Sequence, residues 1–167
     1  MKVKLFKVAS FDIANKPLIN GILKKKIKTI ISTGMANLKE ISSVYKKFKT
    51  NKIPLVLLHC ISSYPNKIET SYLSNINYLK ERYKCEIGLS DHTNDIQVPL
   101  YSSLLGVKVI EKHLKIDENH KCVDAKVSIS GKKFLELKKN LEIIDKMIGK
   151  PKFGLRFDEK NIKIFKR

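Results

Sequence analysis

With 167 residues, 43% of them hydrophobic and 30% charged, the chain has the size and composition of one globular domain, which excludes a disordered or fibrous polypeptide. Its longest apolar stretch, Ile53 to Ile61, is broken by Pro54 and His59 and falls far short of the roughly 20 residues of a membrane span. A formal charge of +18 raises the question of nucleic acid, but only Arg82, Arg156 and Arg167 among 34 basic residues are arginine, the side chain whose planar fork suits phosphate and guanine, which argues against a specific nucleic-acid reader.

Five short runs rich in β-branched and aliphatic residues recur along the chain: Leu5 to Ser10, Lys28 to Thr33, Ile53 to Cys60, Glu86 to Asp91 and Val107 to Leu114. Each is nearly continuous in apolar character, as a strand buried on both faces of a parallel sheet must be. Helical spacing fills the gaps between them. Leu38, Ile41, Val44 and Phe48 form one stripe, and Leu73, Ile76, Leu79 and Tyr83 a second. Phe134, Leu137, Leu141, Ile144 and Ile148 form the last. Asn37 with Glu40, and Ser130 ahead of the last stripe, predict helix starts; Gly149 and Pro151 predict a stop. Pro99 fits only if its helix begins late enough to leave it in the first turn. The result is a repeated βα pattern with the strand spacing of a parallel α/β protein. The densest basic run, Lys24 to Lys28, falls in a solvated connection between a helix and a strand.

Such a pattern admits an open doubly wound sheet or a segment of an eight-unit barrel, and in both the chemistry gathers at the carboxyl ends of the strands. The polar residues lie there: Lys7 and Ser10, Ser32, His59 to Tyr64, Ser90 to Thr93, and Glu111 to His113. Alternation places Ser90 and His92 on one face of their strand, and Glu111 and His113 on one face of the next. Adjacent strands lie about 4.8 Å apart, so one divalent ion could join the two imidazoles and keep open positions for substrate oxygens, as a Lewis acid requires. Spacing alone also admits two histidines that merely hydrogen-bond at strand ends. His59, earlier in its strand, is read as a core residue. Ser10, Ser32, Ser62 and Ser90 with Lys7 could ring a phosphate or carboxylate, or some of these hydroxyls could only cap helices. No G-x-S-x-G elbow and no Cys/His pair with an orienting acid is evident, which disfavours covalent acyl transfer. Cys60, Cys85 and Cys122 make an odd set without a C-x-x-C pair, so reduced thiols are expected, with neither a disulfide nor a structural zinc.

The blocks Phe6-Lys-Val-Ala-Ser10, Ile31-Ser-Thr-Gly-Met35, Leu57-Leu-His-Cys-Ile-Ser-Ser-Tyr-Pro65, Gly88-Leu-Ser-Asp-His-Thr93 and Val109-Ile-Glu-Lys-His113 resemble, in order and spacing, the serial motifs of the N-acetylneuraminate (sialic acid) synthase family. The resemblance implies a (β/α)8 TIM barrel that condenses phosphoenolpyruvate with the aldehyde of an N-acetylated amino sugar such as N-acetylmannosamine, giving a nonulosonic acid and phosphate. By matching position it implies that His92 and His113 hold a divalent metal, Mn or Mg. Lys7, Ser10, Ser32, Ser62 and Ser90 would then grip phosphoenolpyruvate, and Tyr64 and Asp124 would meet the sugar. Cys122-Val-Asp124 departs from the family's frequent Gly-Pro-Asp, which bears on the identity of the sugar.

A complete barrel takes roughly 250 residues, and the resemblance covers its strands 4 to 8, so the expected fold is a partial TIM barrel of five parallel βα units. Residues 1–150 are expected to form that partial barrel, and 151–167 a tail leading toward an antifreeze-like domain that is absent here. Activity would call for an amino-terminal half or a homo-oligomer as partner. The lysines Lys2, Lys4 and Lys7 sit where a signal peptide holds its apolar core, and a cytoplasmic location is expected. The alternative is a noncatalytic half-barrel that binds a partner protein or a polyanion.

Overall fold

The computed structural model describes residues 3–167. Strands β1 (Leu5–Val8), β2 (Lys28–Ser32), β3 (Leu55–Cys60), β4 (Glu86–Asp91) and β5 (Ile110–Lys112) form one sheet in that order, every neighbouring pair parallel. Between them run α1 (Lys16–Lys25), α2 (Leu38–Thr50), α3 (Ser74–Arg82) and α4 (Gln97–Leu104), and α5 (Gly131–Ile148) follows. A sequential strand order with right-handed crossovers sends every helix to the same face, whereas a doubly wound sheet must reverse its order. The sheet is therefore a stretch of barrel wall.

Burial follows that assignment. Val8, Ile31, Leu55, Leu57, Ile87 and Leu89 point outward and pack with Ile19 and Ile22 of α1, Ile41, Val44 and Phe48 of α2, and Ile76 and Leu79 of α3 in one core. The alternate residues, Lys7, Ile30, Ser32, Leu58, Cys60, Gly88, Ser90 and Glu111, occupy the other face, which is the barrel interior. β1 and β5 are each paired on one side only among the described residues. A cavity of about 1010 Å³ opens along the free edge of β5, between Ile30 and Leu58 of the inner face and Phe134, Leu137 and Leu141 of α5.

The local signals mostly act as the sequence predicts. Asn37 accepts from the amides of Lys39 and Glu40 while Glu40 accepts from the Asn37 amide, a reciprocal cap that starts α2. Ser130 accepts from the Lys133 amide at the head of α5, and Gly149 ends that helix with φ 51°. Pro99 is the third residue of α4, inside the first turn where its missing N–H costs nothing. The expected strand Val107 to Leu114 is not continuous. Its ladder with β4 ends at Lys112, and beyond His113 the short β6 (Leu114–Lys115) pairs instead with β7 (Ile129–Ser130) in a separate parallel pair. The His113 carbonyl accepts from the Ile129 amide, so the chain changes partner at that histidine. The first strand stops at Val8, and Ser10–Asp12 turns as a 3-10 segment that brings Ser10 inward.

Candidate active site

The carboxyl ends of the five strands surround a cleft of about 420 Å³ lined by Lys7, Ser10, Ser32, Cys60, Tyr64, Ser90, His92, Glu111 and His113, among others. The two imidazoles share it. Their ring centres are 5.4 Å apart, and Tyr64 stacks on His92 at 4.1 Å and meets His113 edge-on at 5.8 Å. His92 Nδ1 lies 2.8 Å from the Ile61 carbonyl oxygen. Donation from Nδ1 to that carbonyl leaves the lone pair of the neutral ring on Nε2. His113 Nδ1 faces an Asp124 carboxylate oxygen at 3.4 Å, which anchors the second ring by the same nitrogen. An outer oxygen fixing one ring nitrogen while the other stays free is the arrangement that metal-ligating histidines show.

Two imidazole nitrogens facing one cleft are a donor pair that could hold a divalent ion and keep other positions for water or substrate oxygen. Among the described residues no third His, Cys, Asp or Glu completes a closed ligand cluster with them. The histidine that the sequence assigns to the core is there: His59 points to the helix layer and bonds the Ser71 carbonyl through Nε2 at 2.7 Å.

The hydroxyls converge on the other side of the cleft. Ser10 accepts from the Gly34 amide at 3.0 Å and donates to Cys60 Sγ at 3.4 Å, and Ser62 lies 3.9 Å from the same sulfur. A Cβ on Gly34 would fall 2.2 Å from Ser62 Oγ, 2.9 Å from Ser10 Oγ and 3.1 Å from Cys60 Sγ, so the absence of a side chain there keeps the space among them open. Ser32 Oγ is buried and has no hydrogen-bond partner among the described residues. Buried hydroxyls without a partner are rare and call for an explanation, and a ligand oxygen in the cleft would supply one. Lys7 Nζ lies 3.2 Å from Glu111, which also accepts from Ser90 Oγ at 2.8 Å. One carboxylate thus occupies the lysine and the serine together.

The loop hydroxyls of Thr33 and Ser63 cap no helix. Thr33 donates to the Leu58 carbonyl and Ser63 to the Pro65 carbonyl, while Asn37 caps α2 and α3 has no side-chain cap. Cys60, Glu111 and Gly34 join the site without being sequence candidates for it, although Cys60 and Glu111 each stand two positions before one, Ser62 in the loop after β3 and His113 after β5. The sequence does not anticipate that Cys60 meets His92, at 3.9 Å from Sγ to Nδ1. Burial works to raise the Cys60 thiol, but its contacts with His92, Ser10 and Ser90 win and bring it down to about 7. Burial likewise opposes charge on His92, yet the Cys60 sulfur, the Ile61 carbonyl and the nearby Asp91 carboxylate raise its pKa above the ordinary histidine value. Because His92 Nδ1 already faces Ile61, this contact does not form a base aimed at the thiol. Burial also raises the Tyr64 phenol, with the charges of Cys60, Asp124 and Glu111 adding to it.

Comparison with known proteins agrees with the fold. The model of the NeuB family matches residues 1–153. The chain is 36% identical over 159 residues to a pseudaminic acid synthase of Campylobacter jejuni, covering 95% of this chain and 46% of that one. It is also 36% identical to an N,N'-diacetyllegionaminic acid synthase of the same species, over 99% of this chain and 51% of the other. The crystal structure of the N-acetylneuraminic acid synthetase of Leptospira borgpetersenii, in complex with citrate, superposes with a TM-score of 0.90 at 34% identity, over 98% of this chain and 57% of that one. The chain thus spans about half the length of the curated relatives it matches. By sequence, by strand order and by the placement of its motifs, the chain belongs to the NeuB family.

Proposed function

We propose that the chain supplies the phosphoenolpyruvate- and metal-binding wall of a nonulosonic acid synthase, which joins phosphoenolpyruvate to the aldehyde of an N-acetylated amino sugar and releases phosphate with consumption of water. The observation that carries the proposal is the meeting of two imidazoles, each with its Nδ1 facing an oxygen, with Lys7 and four serines at one mouth. His92 and His113 would hold the Mn or Mg ion, whose chemistry is to polarise the sugar aldehyde. Lys7, Ser10, Ser32, Ser62 and Ser90 bind the phosphate and carboxylate oxygens and hold the enol carbon against its target, replacing a chance encounter with a fixed one. Ser32 gains the partner it lacks, and Lys7 and Ser90 exchange Glu111 for the substrate anion. Tyr64 shields the two rings and offers its hydroxyl to the sugar, and Asp124 both braces His113 and faces the sugar hydroxyls.

The free edges of β1 and β5 fit a partner that supplies the remaining βα units, either an amino-terminal half or a second copy. The test mixes the purified chain with Mn(II), phosphoenolpyruvate and N-acetylmannosamine, with and without a polypeptide carrying those units, and assays phosphate release. Release in the completed sample, abolished by His92→Ala, is the expected result. Silence there, together with tight salt-sensitive binding of a polyanion, would replace the proposal with the noncatalytic half-barrel that the +18 charge alone would favour.

A further inference from the structure

One pair of charges lies behind the cleft, on the opposite face of the same two strands. Asp91 and Lys112 are directly paired in the β4–β5 register, one step beyond Ser90 and Glu111. Since Ser90 and Glu111 face the cleft, alternation turns Asp91 and Lys112 toward the helix layer. There the Lys112 ammonium lies 2.7 Å from Asp91 Oδ2, with side-chain exposures of 3% and 2%. Asp91 also accepts from the Thr93 amide at 3.1 Å and from the Thr93 hydroxyl at 2.8 Å, and Lys112 donates to the Thr93 carbonyl. The Asp91–Thr93 contacts bracket His92, and His113 directly follows Lys112.

The backbone ladder of β4 and β5 ends at the Asp91 and Lys112 pair; beyond it the His92 carbonyl accepts from the Asn66 amide and the His113 carbonyl from the Ile129 amide, bonds that hold each histidine to its own loop and do not join the two to each other. β5 has three residues and, among the described residues, one neighbour. We infer that the buried Asp91, Lys112 and Thr93 cluster is the positioning element that sets the spacing of His92 and His113. An ion pair so completely buried is a poor way to gain stability, because the desolvation of both charges offsets their attraction, and a fixed geometry is the better-attested return. Groups that bond ligating rings directly, here Ile61 and Asp124, alter metal affinity by about 10- to 100-fold when removed, and the cluster acts on the same rings through the backbone that carries them. The metal part of the inference rests on the proposed function; the spacing of the rings does not.

The experiment uses the full chain with Asp91→Asn and Lys112→Met combined, which removes both charges together and keeps an acceptor for the Thr93 amide. In the metal-free protein, nuclear Overhauser contacts between the His92 and His113 ring protons report the spacing. Mn(II) binding followed by electron paramagnetic resonance reports the ligand pair. We expect a dispersed, folded spectrum, loss of the ring-to-ring contacts and Mn(II) affinity weaker by about tenfold or more, with Lys112→Arg close to the parent. A folded double variant that keeps the ring contacts overturns the inference. If the parent shows the ring contacts but binds no Mn(II), the metal reading fails while the positioning claim is still decided by the double variant. Should the double variant not fold, Thr93→Val, which deletes the hydroxyl that donates to Asp91 and lies 3.4 Å from the Asp95 carbonyl, is read on the same two signals: weakened ring contacts support the inference and unchanged ones overturn it.

Discussion

Ser32 lies where the sheet's inner face meets the cleft, buried to 2% exposure with an oxygen that bonds nothing. A hydroxyl desolvated without a partner costs about 1–3 kcal/mol, so the protein without substrate should not suffer from its removal. Ser32→Ala is therefore expected to leave the melting temperature unchanged or raise it. The same variant should weaken phosphoenolpyruvate binding by about 10- to 100-fold, since a hydrogen bond to a charged group is worth about 1.5–3 kcal/mol. Calorimetric melting and titration of the completed assembly separate the two effects. A fall in stability by more than about 1 kcal/mol with unchanged affinity would make Ser32 a core residue after all. Such a division between stability and binding was not legible in the sequence, where Ser10, Ser32, Ser62 and Ser90 all look alike. What distinguishes them is the surroundings: Ser10 is bonded to Gly34 and Cys60, Ser90 to Glu111, and Ser32 to nothing.

At the level of elements, strand and helix positions were readable because hydrophobic period and caps agree locally, whereas that pattern suits an open sheet as well as a barrel wall and the strand order was implied only by the family resemblance. The outward residues of β3 and β4 alternate with inward ones, and Asn37 and Ser130 start the helices they predict. The exchange of partner at His113 was not readable, because it depends on the distant Ile129 amide and on β5 having one neighbour. Nor was the close packing around Gly88. A Cβ there would fall 2.4 Å from Leu58 Cδ2 and 2.5 Å from the Val109 carbonyl, and the carbonyl belongs to backbone that leads into β5. Gly88→Ala should destabilise the fold by about 1–3 kcal/mol through overpacking and push β5 outward, moving Glu111 and His113 with it. Gly21, inside α1 with nothing within 4 Å of its missing Cβ, gives the opposite result. Gly21→Ala should stabilise by about 0.4–1 kcal/mol, from lower unfolded-state entropy and better helix propensity. Denaturant melts of the two variants check the contrast. Equal effects would mean that the inner face has slack that the Gly88 contacts do not show.

For the whole molecule, charge and topology act against each other. Two strand edges and an apolar inner face with a large cavity invite pairing, and unpaired edges are the usual route to association between copies. Against this stands the imbalance of 34 basic and 16 acidic residues, which makes like molecules repel. The ion pairs leave that imbalance unchanged: Glu86 with Lys28, Glu111 with Lys7 and Asp145 with Lys108 are at the surface or partly exposed, where screening leaves each worth little. The repulsion is long-ranged and screened by salt, while edge pairing is short-ranged and nearly indifferent to it. Raising salt from about 0.02 M to about 0.3 M shortens the screening length from roughly 20 Å to roughly 6 Å. The balance should then tip from monomer toward association, and sedimentation equilibrium should show the mean mass rising with salt. A polypeptide that supplies the remaining strands would cover the edges and cancel that rise. A mass that falls with salt, or one that rises equally with the edges covered, would show that association runs through charged surfaces and not through the open barrel wall.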